Sequence, residues 1–498
     1  MNPSGPVRPP STSSSGPAPG SSGGRGRAVV LGGSLAGLLT AAALTGRFTE
    51  VTVVDRDPLD GRLEAPRRGV PQGRHTHGLL VGGLRAMEEL LPGLTASLVA
   101  RGGIEVDLVD RARWNLGGGS LARFPAGLIG MLASRTLIES EVRARVLALP
   151  GVGVLGGHDI VGLLASGDRR RVTGVRLTRR GADAEPPGAG AESLPTRATA
   201  EGRPVVELVG ELVVDATGRG SRAPTWLAGL GYPPPPEVTV PADICYVTRL
   251  FRVTPGVLDD LDVDVIGSNP PDPRAGVALR QEGDRWTVTL AGMHGLQPPT
   301  ELAAFAEYAA GLPTPGLAQV ATGCEPIGEP QVYRYPNSRW RRWEKVSSRP
   351  DGLLVIGDAV ASFNPVYGQG MSSAALQAKA LSTLLTSGPH ELPRRAAEAF
   401  AAVVAVPWTL ATGGDRRYPG LQLKSPPERL LDRYLDRLLR VARVDEQVAL
   451  RFFRVLNLLA APTSLLAPAA VRRVLRPGAG GRPGGVAGRS PAASAAVG

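Results

Sequence analysis

Short apolar runs along the chain are each followed by a glycine turn and then by a helical period. Ala28 to Leu31 reads as a buried strand. Gly32-Gly33-Ser34-Leu35-Ala36-Gly37 follows as a tight turn, and Leu38 to Thr45 as a helix with Gly46 at its C-cap. Val51 to Val54 is a second buried strand, ending in Asp55-Arg56. Strand, glycines, helix, strand and acid form a βαβ unit with the dinucleotide-binding fingerprint. Gly32 permits the sharp turn, and Gly37 lets helix and strand pack closely. Ser34 replaces the usual middle glycine and is small enough for a close approach. The helix N-terminus offers free N–H groups and a positive dipole end to a pyrophosphate. Asp55 can accept hydrogen bonds from a ribose. The competing reading is a glycine-rich turn in an ordinary α/β domain.

The periodicity continues in blocks. A Pro/Arg/Gly loop, 58–78, contains GVPQGRHTH, and Leu79 to Leu91 reads as an amphipathic helix. His75 and His77 would need further ligands to hold a metal, and only His158, His294 and His390 remain. A loop packed near a cofactor is the better reading. Leu128 to Ala133 reads as a strand. Arg135 opens the helix Thr136 to Leu149, placed either to reach a phosphate or ribose or as a surface arginine. Hairpins are expected over Val152 to Thr178 and a solvent loop over Arg180 to Gly202. Glu211 to Val214 is an apolar strand running into Asp215, a glycine turn, Ser221 and Arg222, with a helix from Thr225 to Leu230. Pro233 to Pro236 is a stiff exit. Alternating patterns at Ile244 to Val253 and Arg285 to Met293 make 231–345 a sheet-rich domain.

A third landmark begins at Asp351. Leu353 to Ile356 is a strand ending in Gly357-Asp358, where α/β folds bind ligands. Gly368 and Gly370 let backbone approach a flat ring. The helix Met371 to Leu385 points its N-terminus back at that loop. Residues 392–476 are helical in pattern. Leu450 to Arg476 is both basic and apolar, suited to cover the core or to touch a membrane surface, with cover favoured. The division expected is a disordered tail 1–26, a nucleotide-binding domain 27–230 completed by 346–391, the domain 231–345, the helical region 392–476 and a disordered tail 477–498.

Composition changes this picture little. The 498 residues suffice for two or three packed units, and 42% are hydrophobic. A net charge of +11 raises the question of nucleic acid, but Lys345, Lys379 and Lys424 are the only lysines and the arginines are scattered. No basic stripe interleaved with aromatics is present, so nucleic-acid binding is not expected. Cys245 and Cys324 make no disulfide framework and have no metal-ligand spacing, which suits a reducing cytoplasm. No leader peptide is expected at the N-terminus, and no uninterrupted apolar run is long enough for a bilayer span.

The three landmarks, in this order, resemble the group A flavoprotein monooxygenases of the para-hydroxybenzoate hydroxylase fold, over about residues 27–410. The resemblance implies an α/β (α+β) fold: a Rossmann-like FAD-binding domain, a sheet-rich substrate domain and a C-terminal helical region. It implies that Gly32, Gly33, Ser34, Gly37, Asp55 and Arg56 hold the ADP part of FAD and that Arg135 contacts the cofactor. Asp215 falls in the family's second motif, here Asp-Ala-Thr-Gly where the family has Asp-Gly. Gly357 and Asp358 form the third motif, with Gly368, Gly370 and Met371 beside the ring. Phe363, Asn364, Pro365 and Tyr367 are pocket candidates. One face of each middle strand, Tyr246/Thr248/Leu250 and Trp286/Val288/Leu290, lines the pocket or the core, with core favoured for the Trp286 set.

GVPQGRHTHGLL, VVDATGRGSR and PDGLLVIGDAVASFNPVYGQGMSSAA also resemble actinobacterial polyether and polyene epoxidases. The activity this implies is insertion of one oxygen atom from O₂, through a flavin C4a-hydroperoxide, into an alkene of a hydrophobic polyketide. NADPH or NADH would be the reductant, directly or through a partner flavin reductase. Alternatives are hydroxylation of an aromatic or terpenoid product and reduction of isoprenoid double bonds. Flavin-dependent halogenases share the fold, but carry a Trp-x-Trp-x-Ile-Pro element and an early lysine. Here Trp340 and Trp343 lie in WRRW, and no lysine precedes Lys345.

Overall fold

The computed structural model describes residues 25–59, 67, 69–180, 196–198, 204–270, 272–416, 418 and 425–476. Both expected tails lie outside them, apart from residues 25 and 26, which belong to the first strand. A five-stranded parallel sheet carries the nucleotide unit. Its order is Leu353–Val355, Leu212–Asp215, Arg25–Leu31, Phe48–Val54, Val152–Leu155. The strands are apolar runs because both faces are covered; Ala28 to Leu31 and Val213 to Val214 are completely buried. The helices Leu35–Leu44, Arg135–Leu147 and Gly370–Thr386 pack together beside it. The first of these starts three residues earlier than the sequence suggests, immediately after Ser34.

Two expectations change here. Val152–Leu155 is the fifth parallel strand rather than half of a hairpin; the hairpin proper is His158–Ala165 with Val172–Arg179. A strand, Thr196–Ala198, lies inside the segment read as a solvent loop, most of which falls outside the described residues.

A seven-stranded sheet forms the second layer, in the order Ala361–Ser362, Pro326–Arg341, Glu237–Arg252, Arg285–Gly292, Arg274–Gln281, Val263–Ile266, Ala112–Asn115. Its two edge strands come from outside 231–345, so the sheet is sewn to the rest of the chain at both ends. Neither pairing is visible locally: Ala112–Asn115 pairs in parallel with a strand about 150 residues later. One sheet face packs Val247, Phe251, Trp286, Val288 and Leu290 against the helices Leu302–Ala310 and Gly316–Gly323. The Trp286 set is therefore core. Tyr246 and Thr248 lie on the opposite face, in register with Ala291 and Thr289.

The helices Pro426–Val441, Glu446–Leu456 and Pro468–Leu475 bury Leu438, Val448, Phe453 and Val474 in one cluster with Val106 and Leu132 of a three-stranded sheet. The long helix Leu392–Asp415 meets the length and hydropathy of a membrane span, yet Ala396, Phe400, Val404, Trp408 and Ala411 join the main core. Its apolar character is therefore explained by protein contact along one face.

Phe453→Ala should cost about 3–5 kcal/mol, the usual cost of emptying a buried aromatic site. Leu430→Ala, at a side chain 68% exposed, should stay within about 0.5 kcal/mol. Urea denaturation of both variants measures the difference; equal effects would remove the C-terminal helices from the core.

Candidate active site

Three loops leave the parallel sheet at its C-terminal edge and pack closely against one another. Gly32 sits at φ 99°, and a Cβ there would lie 2.7 Å from the Ala216 carbonyl oxygen. A Cβ on Gly357, φ 69°, would lie 2.7 Å from the Ala36 methyl, and one on Gly218 would lie 3.9 Å from the Asp358 Cβ. Gly37 has no alternative: its Cβ would sit 1.7 Å from the Gly32 oxygen. The glycine turn, the Asp215 turn and the Gly357-Asp358 turn thus form one cleft floor. Ser34 is the N-cap of the first helix, but its side chain caps nothing. The helix therefore presents uncapped N–H groups to the cleft.

Ser34 instead serves a charged cluster. Its hydroxyl accepts from Arg135 Nη2 at 2.8 Å and donates to Glu139 Oε2 at 3.1 Å. Arg135 is buried, so it is not the surface arginine of the alternative reading. Glu139 also receives Arg67, at 2.6 Å, and Arg143, at 3.3 Å. The arginines around Glu139 hold its carboxyl below the usual range, against the opposing effect of burial, which is the largest influence. Asp55 lies in the same cluster. Its Oδ2 accepts the Gly33 N–H at 2.6 Å, and its Oδ1 accepts the Asp57 N–H at 2.8 Å and Arg67 at 3.2 Å. Both oxygens expected to face a ribose therefore already hold protein donors. Arg56, the next residue, is exposed.

Asp215 corrects the sequence reading more sharply. It is completely buried, and its oxygens accept from Thr217 N–H, Thr217 hydroxyl and Ser221 hydroxyl at 2.9, 2.6 and 2.6 Å. Its carboxylate folds its own turn and is not offered to the cleft. Asp358 is the carboxylate that is offered. It is accessible from the cleft and accepts no hydrogen bond among the described residues. Burial raises its pKa, while Arg135 and Arg219 pull it back.

Arg219 carries no local signal in the glycine turn, where Ser221 and Arg222 stand out instead. It bridges the two layers: its Nη atoms donate to Ser362 Oγ at 2.7 Å, to Asn337 O and Oδ1 at 2.8 and 2.7 Å, and to the Tyr335 hydroxyl at 3.2 Å. The other wall is the His-Thr-His loop. His75 shares a 2.9 Å hydrogen bond with Thr248, which joins Thr289 at 2.6 Å and, through it, Thr76 at 2.5 Å. The His75 ring stands edge-on to Tyr246 at 4.7 Å and to Tyr333 at 5.6 Å. Burial, with Arg74, pushes its pKa down to about 4. His77 Nδ1 donates to the His75 carbonyl at 2.9 Å; burial, then Arg135, takes its pKa to about 3. Its Nε2 is thereby left as a neutral acceptor.

The loop after Asp358 carries the remaining candidate residues. Gly368 is left-handed at φ 66°, and a Cβ on Gly368 or Gly370 would meet nothing within 4 Å. Met371 is buried in the helix behind them. Of the pocket candidates, Phe363 packs into the main core instead, Pro365 is exposed and Tyr367 is half-buried. Asn364 is buried and donates to Asp415 Oδ1 at 2.9 Å; the Tyr367 hydroxyl reaches the same oxygen at 3.1 Å. Asp415, at the end of an apolar helix, had no local signal. Glu139 had one, its i,i+4 spacing from Arg135.

His75 is neutral when folded and titrates at an ordinary 6.5 when unfolded. Its contribution to stability is complete above pH 6.5 and disappears as the pH falls toward 4, to an extent of about 3 kcal/mol. Denaturation of wild type and His75→Gln across this window should show that extra acid sensitivity in the wild type alone.

No family model matches the chain. Protein Rv3254 of Mycobacterium tuberculosis (strain ATCC 25618 / H37Rv) is 32% identical over 455 residues, covering 87% of this chain and 89% of that protein. Among solved structures, p-nitrophenol 4-monooxygenase PnpA from Pseudomonas putida DLL-E4 is similar at TM-score 0.59 and 16% identity, over 87% of this chain and 99% of that one. PqsL from Pseudomonas aeruginosa, described as a probable FAD-dependent monooxygenase, gives 0.56 and 17% over 78% and 97%. The flavin-dependent brominase Bmp2 gives 0.57 and 14% over 89% and 96%. The chain belongs to the family of Protein Rv3254, and its fold is that of the FAD-dependent monooxygenases.

Proposed function

We propose that the protein is an FAD-dependent monooxygenase. The observation that carries this reading is the contact of its three motif loops, with uncapped helix N–H groups on one side of the cleft and, on the other, the Asp358 carboxylate, which has no hydrogen-bond partner among the described residues. These residues fit an extended dinucleotide. The glycine turn would hold the pyrophosphate against the helix N-terminus, with the fixed Arg135 cation beside it. Asp358 would accept a hydroxyl of the chain joining phosphate to ring. The open space beside Gly368 and Gly370 suits a flat ring approaching backbone. Bound FAD supplies the redox chemistry, taking electrons from NADPH or NADH, directly or through a partner reductase, and turning O₂ into a one-atom oxidant.

The chain's own contribution is to bind, orient and exclude water. Neutral His77 offers an acceptor without adding a cation to a site that already holds Arg135. Trp340 and Trp343 are buried, with the Trp340 ring 5.4 Å from Trp408, so they serve packing. The proposed substrate is an alkene of a hydrophobic polyketide, and the proposed reaction is epoxidation. Tyr246, Thr248 and Tyr333 supply a wall with hydroxyls but no carboxylate, and oxygen transfer to an alkene needs no protein base. The aromatic rings of His75, Tyr246 and Tyr333 favour a second reading, hydroxylation of an aromatic compound. A cytoplasmic setting is supported by Cys245 and Cys324, both buried free thiols. Exposed Leu466 and Leu475 beside Arg472 and Arg473 support a peripheral membrane contact.

Asp358→Ala removes one charge-assisted acceptor and should weaken FAD binding about tenfold to a hundredfold, read by fluorescence titration of the apoprotein. An unchanged affinity would take Asp358 out of the cofactor site. For the activity itself, NADPH added without oxygen should bleach the bound flavin, and air should restore its colour with release of a product one oxygen atom heavier. Alkene saturation with no oxygen consumed would replace the monooxygenase with an isoprenoid-type reductase.

A further inference from the structure

The loop Asn364–Gly368 is held from behind by a residue that belongs to none of the three motifs. Asp415 ends the long helix Leu392–Asp415, is 2% exposed, and accepts from two loop side chains on one oxygen. The fit is close: a Cβ on the preceding Gly414 would collide with the Tyr367 ring. Asn364 carries the restraint into the backbone, since its Oδ1 accepts the Val366 N–H at 3.2 Å. The second Asp415 oxygen, Oδ2, is buried and has no hydrogen-bond partner among the described residues. A carboxylate there is stripped of water on one oxygen, which costs more when charged than when neutral.

We propose that Asp415 is the positioning residue of the active-site loop, and that the proton on its carboxyl decides how firmly the loop is held. The proposal rests on the preceding functional reading only in taking this loop as a wall of the active site. Its electrostatic surroundings are simple. Burial, the largest influence, raises the pKa from 3.8 to about 6, and the Asn364 and Tyr367 hydrogen bonds pull it back. Among the described residues, the elements packed against this helix carry Lys379, paired with Glu89, Glu344 with Arg342, Glu237 with Arg341 and Arg252 with Glu325, together with Lys345, Asp243 and Arg249; none of these charges contributes to the Asp415 shift. A closed loop that raises the pKa binds the proton more tightly than an open one. Protons therefore favour closure, and ionisation favours release of Asn364 and Tyr367 into water. Between about pH 5 and about pH 7.5, with a pKa near 6 closed and 3.8 open, the open-to-closed ratio rises about tenfold.

Hydrogen exchange of the full-length protein, followed in peptides covering 363–370 and corrected for the intrinsic chemical rate, reads this directly. It needs neither flavin nor substrate, so its failure is separate from failure of the proposed activity. The wild type should exchange about tenfold faster in this segment at the higher pH. Asp415→Asn keeps the shape and the acceptor but cannot ionise. It should retain the low-pH protection of the wild type at both pH values. A wild-type ratio near one, a tenfold change that survives in Asp415→Asn, or an unprotected loop in that variant at low pH would each overturn the proposal. Tyr367→Phe removes a donor from the ionised form and should move the midpoint of the profile above about 6; a midpoint that stays in place would overturn it equally.

Discussion

Close packing between three loops is the constraint on which the rest depends. A Cβ on Gly32 would meet the Ala216 carbonyl and one on Gly357 the Ala36 methyl, while within the first turn a Cβ on Gly37 would meet the Gly32 oxygen. The parallel sheet brings those loops together by pairing strands from residues 25–31, 212–215 and 353–355. The large sheet then lies across the opening, tied at its edges by Ala112–Asn115 and Ala361–Ser362. Arg219 locks the arrangement by reaching from one turn to strand, loop and tyrosine at once. Moving any one loop would disturb all of these contacts.

Charge beneath the cleft follows a related logic. Arg67, Arg135 and Arg143 converge with Glu139, Asp55 and Asp57, all largely buried. Such a cluster contributes little net stability, because desolvation consumes most of the attraction. Its effect is on geometry: Arg135 and Ser34 are held in place before any ligand arrives, so ordering them on binding costs little.

Much of this architecture can be read from residue order. Strand, glycine turn and helix at 28–45, and the Gly357-Asp358 turn before a long helix, are local patterns, and local patterns survive in sequence. The structure keeps the Trp286 face as core, as alternation and apolarity suggest. What escapes is non-local. Asp55 and Asp215 look like ligand-facing acids at strand ends, yet their oxygens are taken by Gly33, Arg67, Thr217 and Ser221. Asp415 meets Asn364 across 51 residues, and nothing near either residue announces it. Strand Ala112–Asn115 pairs with Val263–Ile266, about 150 residues later, and no local pattern points to that partner.

The strand Pro326–Arg341 has a consequence for how copies of this protein meet. Among the described residues its outer neighbour pairs with it only at Arg339 and Trp340, and the rest of that rim has no ladder partner among them. An unguarded rim of that length would recruit any extended segment, including the same strand from another molecule. Pro326, Pro330 and Pro336 are spaced along it, each removing a donor and stiffening the backbone against further pairing. Sheet extension along that rim is thereby discouraged by proline rather than by a covering element.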